Sequence, residues 1–178
     1  KREQLLTLST ALVVDAMDRL GLPECVLDPA IGPVVPFSRM VGSASTVRLE
    51  SKPGAAMSDL GLYTTALESG GDLCCPIITV EVPRAHHHQG IFGEGAATTA
   101  RRAGFSGALV DGAVRDTHEL QEMGFVAFSR TVSPGYICRK VEAVSAGEPI
   151  DVGGVTVRTG DVIFGDNDGV ICVAAAQL

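Results

Sequence analysis

Glu94, Arg115, Asp116 and Glu119 are the residues whose types and spacing suit chemistry, and each stands where a helix is expected to begin. Two turns carry them: Gly93–Glu94–Gly95–Ala96, and Asp111–Gly112–Ala113–Val114–Arg115–Asp116–Thr117–His118–Glu119. The first backbone N–H groups of a helix lack intrahelical acceptors, so such turns attract anions. A guanidinium and carboxylates at two such termini suit a divalent cation and a small carboxylate substrate held side by side. That is the equipment of enolate chemistry.

Each piece also has an ordinary structural account. Asp116 as an N-cap, with Glu119 three residues later, spells a near capping box. Glu94 in a first turn favours the helix macrodipole by about 0.3–1 kcal/mol. Arg115 is harder to assign to helix formation, because a guanidinium held at a turn is a ready clamp for a planar carboxylate. Gly93 and Gly95 let the backbone approach a ligand closely, which offers the amides of residues 94 to 97 to a substrate carboxylate.

The elements that must position these turns follow from periodicity. Glu3–Arg19 reads as an amphipathic helix stopped by Gly21–Leu22–Pro23, and Gly42–Leu49 as a strand. Ser58–Glu68 reads as a helix closed by Gly70–Gly71. Leu73–Val82 has strand composition, with Pro76 suggesting an edge or a bulge. Glu94–Ala103 and Thr117–Met123 read as helices ended by Gly104 and Gly124, alternating with short strands at Ala108–Val110 and Val126–Phe128. This alternation predicts α/β units with partly parallel pairing. The last third changes character: a hairpin at Pro149–Val157 around Gly153–Gly154, then strands Asp161–Phe164 and Gly169–Ala174. Asp166–Asn167–Asp168–Gly169 reads as their connecting turn rather than a calcium loop. The fold class is therefore α/β with an antiparallel β-rich C-terminal part, in one domain spanning residues 1–178.

Composition excludes several function classes. The chain has 178 residues, 46% of them hydrophobic, no tryptophan, and only two tyrosines and six phenylalanines, so its core is built from small and β-branched side chains. A net charge of −7 without a basic run argues against nucleic-acid binding. No apolar run reaches about 18 residues and no signal-peptide pattern opens the chain, so no membrane association is expected. The first residue is Lys1, so the native N-terminus is expected further upstream. Five cysteines (Cys25, Cys74, Cys75, Cys138, Cys172), odd in number and without a C-x-x-C pair, point to reduced thiols and a cytoplasmic protein. His86–His87–His88 invites a zinc reading with Cys74 and Cys75. Adjacent histidines point to different sides, however, and no pair has zinc spacing, so a solvent-facing or pocket-lining loop is expected.

Taken jointly, Glu94, then twenty residues, then Arg115–Asp116, then two residues, then Glu119, resembles the motif of the class II pyruvate aldolases acting on 4-hydroxy-4-methyl-2-oxoglutarate and 4-carboxy-4-hydroxy-2-oxoadipate. These share a fold with the RraA-type regulators of ribonuclease E. The flanking segments agree: Asp15–Gly21, Val41–Val47, Gly107–Asp116 and Gly160–Val170. The resemblance implies an RraA-like α/β/α sandwich with a swivelling β/β/α arrangement, assembled as a homotrimer or a hexamer with the pocket between subunits. It implies Mg²⁺ or Mn²⁺ bound directly by Asp116 and through water by Glu94 and Glu119. It also implies a small 2-oxo acid substrate contacted by Arg115 and cradled by the amides of Gly93–Ala96, with Arg115, Glu94 and Asp116 catalytic. The expected activity is cleavage of a 4-hydroxy-2-oxo acid to pyruvate, with oxaloacetate decarboxylation through the same enolate. No lysine lies in the cluster, which disfavours a Schiff-base aldolase.

Two departures stand out. The stretch Asp72–Gly93 is longer than the common pattern, so the His86–His88 loop is expected near the pocket, altering substrate choice. The resemblance also implies an acidic residue from a neighbouring subunit's C-terminal part, and no acid follows Asp168 here. The rival reading is a non-catalytic regulator binding a ribonuclease E-like partner through an acidic surface.

Overall fold

The parallel heart of the fold is made by residues that suit strands buried on both faces. In the computed structural model, which describes residues 2–23, 25–69 and 73–177, Ile77–Glu81 and Gly107–Val114 are such strands, the latter buried along its whole length. In chain order the elements are α1 (Arg2–Leu5), α2 (Thr10–Arg19), β1 (Gly32–Pro33), β2 (Met40–Ser51), α3 (Gly61–Glu68), β3 (Ile77–Glu81), β4 (Gly90–Phe92), α4 (Glu94–Arg102), β5 (Gly107–Val114) and α5 (Thr117–Met123). There follow β6 (Val126–Val132), β7 (Val141–Ala146), β8 (Ile150–Val152), β9 (Val155–Val157), β10 (Val162–Asp166) and β11 (Gly169–Val173).

The main sheet runs in the order β1-β6-β5-β3-β2-β10-β11, with β4 beside β5 and β7 beside β2. β6, β5, β3 and β2 are mutually parallel, while β1, β7, β10 and β11 join antiparallel. β1 comes round to β10 and β11, so the sheet nearly closes on itself. On one face α3, α4 and α5 bury Tyr63, Leu67, Ala97, Ala100 and Leu120 against Val47, Ile78, Val80, Ala108 and Val110. On the other face Ala44, Ile77, Leu109 and Phe128 meet the β8–β9 hairpin through Ile150, Val152 and Val157. Outside β10–β11, α2 packs Met17 on Val41, Phe164, Ile171 and Val173. The expected α/β class, the layered arrangement and the antiparallel C-terminal part are all present.

Some elements differ from expectation. Glu3–Arg19 is two helices rather than one. Ser9 caps α2, accepting the Leu12 N–H at 3.2 Å, and the Asp166 carboxylate takes both the N–H and the hydroxyl of Thr10 at 2.8 Å. That anchor comes from 156 residues away, so local periodicity carries no trace of it. Pro76 neither kinks nor edges a strand, because β3 begins after it and lies between β2 and β5. The helix expected at Ser58–Glu68 begins as a 3₁₀ turn, Met57–Leu60, and becomes α-helical at Gly61; its expected Gly70–Gly71 stop lies outside the described residues. Thr117–Met123 and the hairpin at Gly153–Gly154 fall as expected. Asp166–Gly169 is the β10–β11 turn, with Asp168 N–H bonded to Asp166.

Candidate functional site

Where β5 ends, its chain does not simply pass into α5. The Arg115 N–H still pairs with the Phe92 carbonyl of β4 at 2.9 Å, and Asp116 then turns in the left-handed region (φ 55°, ψ 44°). Aspartate is among the few non-glycine residues that adopt this conformation readily. The Asp116 carbonyl accepts the Leu120 N–H at 3.0 Å, so its backbone opens α5 as an N-cap. Its side chain does not cap that helix. The capping box with Glu119, the ordinary structural account of these two residues, is therefore not formed, because the left-handed turn swings the carboxylate towards α4. There Asp116 Oδ2 accepts the N–H of Glu94 at 3.1 Å, the first N–H of α4. One residue thus starts one helix with its backbone and caps the other with its side chain.

Gly93 makes this approach possible. It is buried and extended (φ −158°), a conformation open to any residue, but a Cβ there would collide with Asp116 Oδ2 and lie 2.9 Å from Arg115 Cγ. Gly95 is different: it is exposed, and a Cβ would meet nothing within 4 Å. With Glu94 N–H taken by Asp116 and Ala97 N–H by the Gly93 carbonyl, the N–H groups of Gly95 and Ala96 lack protein acceptors among the described residues. These two amides, at the positive end of a nine-residue helix, are free to bind an anion.

Arg115 lies beside them. Its Nε stands 3.4 Å from Asp116 Oδ2, and its guanidinium carbon sits 5.3 Å from the centre of the Tyr136 ring. Both partners of the ion pair are about one-third exposed (38% and 34%), so the pair faces solvent and remains able to engage a ligand. Tyr136 had no motif to betray it; it reaches the site because Gly90 N–H bonds the Gly135 carbonyl at 2.8 Å, tying its loop to β4. Glu94 is exposed and Glu119 half-buried, each in the first turn of its helix. Among the described residues no three His, Cys, Asp or Glu side chains converge on one metal position. Any cation here would rest on Asp116, waters and ligand oxygens.

The histidine loop does lead into the site. His86 Nδ1 pairs with Gln89 Oε1 at 3.0 Å, and the His87 Nε2–H donates to the Val82 carbonyl at 2.9 Å, before the chain enters β4 alongside Arg115. Cys74 and Cys75 precede β3 while the histidines follow it, so the strand separates them and the zinc grouping does not form. A polar cavity of about 350 Å³ is lined by Asp28, Glu81, Arg84, His87, Asp111 and Arg130, not by Arg115 or Asp116. Its acids are largely committed: Arg130 donates to Asp111 at 2.6 Å and to Asp28 at 2.8 Å, and Gly153 N–H donates to Asp111 at 2.7 Å. Asp28 is held below the usual carboxylate range by the Ala30 N–H and then by Arg130. Burial pushes Glu81 up. Asp111, part of the same sequence run as Arg115, thus fastens the β8–β9 hairpin to the sheet.

Residues 10–172 match the profile of the RraA-like family described as Aldolase/RraA. A Halalkalibacterium halodurans protein named "Putative 4-hydroxy-4-methyl-2-oxoglutarate aldolase" is 31% identical over 98% of this chain and 76% of its own length. The Legionella pneumophila protein DlpA is 26% identical over 99% of this chain, which spans only 28% of that larger protein. Among solved structures, a Streptomyces coelicolor member of the RNase ES inhibitor RraA protein family superposes with a TM-score of 0.80 at 22% identity, covering 98% of this chain and 84% of that one. Among the described residues no helix is long and apolar enough to cross a membrane.

Proposed function

This chain belongs to the Aldolase/RraA family, and from that premise we propose that it is a divalent-metal-dependent lyase that cleaves a 4-hydroxy-2-oxo acid to pyruvate and also decarboxylates oxaloacetate. The observation that carries the reading is the meeting of two helix termini at the Asp116 carboxylate, with Arg115 beside it and two amides open to solvent. Asp116 would hold Mg²⁺ or Mn²⁺ directly, with Glu94 and Glu119 acting through waters. A hard oxygen donor with few protein partners fits a cation that keeps much of its hydration. When bound, the cation supplies Lewis-acid polarisation of the substrate's 2-oxo group.

The remaining work falls to the chain itself. The Gly95 and Ala96 amides bind the C1 carboxylate at the terminus of α4. Arg115 faces the 2-oxo oxygen, where negative charge grows as the C3–C4 bond breaks and its electrons move towards C2. The 4-hydroxyl proton leaves towards a carboxylate at the rim, Glu94 or Glu119. The same group returns a proton to C3 of the departing pyruvate. Oxaloacetate loses its C4 carboxylate as CO₂ with no hydroxyl proton released, so the proton that the rim carboxylate delivers to C3 is taken from solvent. The site is half-open on one chain, and assembly as a homotrimer or hexamer would enclose it.

The test is pyruvate release from oxaloacetate and from 4-hydroxy-4-methyl-2-oxoglutarate with Mg²⁺, with and without EDTA. Metal-dependent release from either substrate, lost in a folded Asp116→Ala variant, is expected. No release above background from both would overturn the lyase reading in favour of a binding protein of the RraA-regulator kind.

A further inference from the structure

Cys74 and Cys75 take no part in the chemistry above, and their sulfurs lie 4.0 Å apart with the Cys74 thiol directed at the Cys75 sulfur. We propose that this adjacent pair is a reversible thiol–disulfide site, closed by exchange with a low-molecular-weight disulfide such as oxidised glutathione. Cys74 is exposed and Cys75 partly so, which leaves the pair open to a reagent from solvent. The backbone around them is fastened on both sides. The Cys74 carbonyl accepts the Ser43 N–H at 3.2 Å, and the Cys75 carbonyl accepts the Ser106 hydroxyl at 2.9 Å. The Cys75 carbonyl also packs on Gly42 so closely that no Cβ would fit there. Cys75 itself sits at φ 52°, a left-handed turn that side chains rarely adopt. The backbone carrying the pair is thus fixed, and it presents the two sulfurs 4.0 Å apart.

The exchange balances in two steps. The Cys74 thiolate attacks one sulfur of oxidised glutathione, forming a mixed disulfide and expelling one glutathione thiolate. The Cys75 thiolate then attacks Cys74 Sγ, forming the Cys74–Cys75 bond and expelling the second. Two protein thiols are oxidised, one oxidised glutathione becomes two reduced molecules, and the two thiol protons pass to them. Neighbouring Cα atoms across a trans peptide are about 3.8 Å apart, below the roughly 4.4–6.8 Å usual for disulfides. The closed form is therefore strained and readily reduced, as befits a labile bond rather than a structural one.

The test uses the full chain in graded mixtures of reduced and oxidised glutathione, quenched in acid, with mass analysis of the peptide carrying both cysteines. The expected result is a loss of two hydrogens on that peptide, reversed by dithiothreitol and absent in Cys74→Ser and Cys75→Ser. Phenylarsine oxide, which bridges close dithiols, should protect both sulfurs of the native chain from alkylation without any substitution. A stable glutathione adduct on one cysteine with no internal bond would overturn the proposal. So would alkylation of both sulfurs undiminished by the arsenical.

Discussion

Gly93→Ala isolates the meeting of the two helices from every other feature of the site. The new methyl brings no backbone strain, since Gly93 is extended at φ −158°. It must instead displace the Asp116 carboxylate and press on Arg115, 2.9 Å from its Cγ. Asp116 is one-third exposed, so its carboxylate can rotate into water, and the fold is expected to lose only about 1 kcal/mol. At this chain length that is a fall in Tm of about 2–4 °C. The activity should suffer more. Displacing a group that positions the reacting atoms by about 1 Å can cost about 100-fold, so kcat/KM should fall by about that factor. The assay is pyruvate formation from oxaloacetate with Mg²⁺, read beside a thermal melt. A variant that keeps kcat/KM within twofold of the parent would refute the argument that Gly93 holds Asp116 in its working place. Activity lost only in step with unfolding would refute it equally.

Other substitutions probe neighbouring parts. Gly95→Ala should raise stability by about 0.5–1 kcal/mol, as alanine favours a helix over glycine and a Cβ there meets nothing within 4 Å; a thermal melt at or below the parent's Tm would refute it. Tyr136→Leu removes a cation–π contact worth about 0.5–1 kcal/mol, so KM should rise a few-fold while Tyr136→Phe stays near the parent; equal effects of both would place the contribution in the hydroxyl. Asp166 carries a pH signature. Burial pushes its pKa up, but the Thr10 N–H and hydroxyl and the Asp168 N–H outweigh burial and hold it below the ordinary value. Its contribution is therefore full above about pH 4, the unfolded value, and is lost as pH falls through the lower folded value. Asp166→Asn exchanges a charged acceptor for a neutral one and should be about 1 kcal/mol less stable at neutral pH, with the difference closing in acid; urea melts that show a gap constant from pH 7 to pH 3 would exclude this linkage.

The sequence was most legible where structure is locally determined. Thr117–Met123 ends at Gly124 because a left-handed glycine stops it (φ 63°), and the Gly153–Gly154 hairpin has both central residues at positive φ. It was least legible where distant groups decide. Thr10 is anchored by Asp166 from far along the chain, β7 lies beside β2, and the Gly90–Gly135 contact helps to bring Tyr136 to Arg115. The positions of Glu94, Arg115, Asp116 and Glu119 at helix starts were readable. What Asp116 does with its side chain was not, because a capping pattern does not say which helix is capped.

That ambiguity bears on catalyst against docking protein. A residue needed only to make the left-handed turn before α5 would be served best by glycine, which carries no Cβ penalty. A residue needed only to cap α5 would turn its side chain onto that helix, and Asp116 does not. Aspartate at this place is accounted for when both demands act together: a turn only a few residue types tolerate, and a charged oxygen aimed at the start of another helix beside a guanidinium. A surface that merely docks a basic partner requires negative charge but no such aim. The geometry at residue 116 is therefore explained by the turn and the cap acting jointly, and metal-dependent pyruvate release, lost in Asp116→Ala, is what separates catalyst from docking protein.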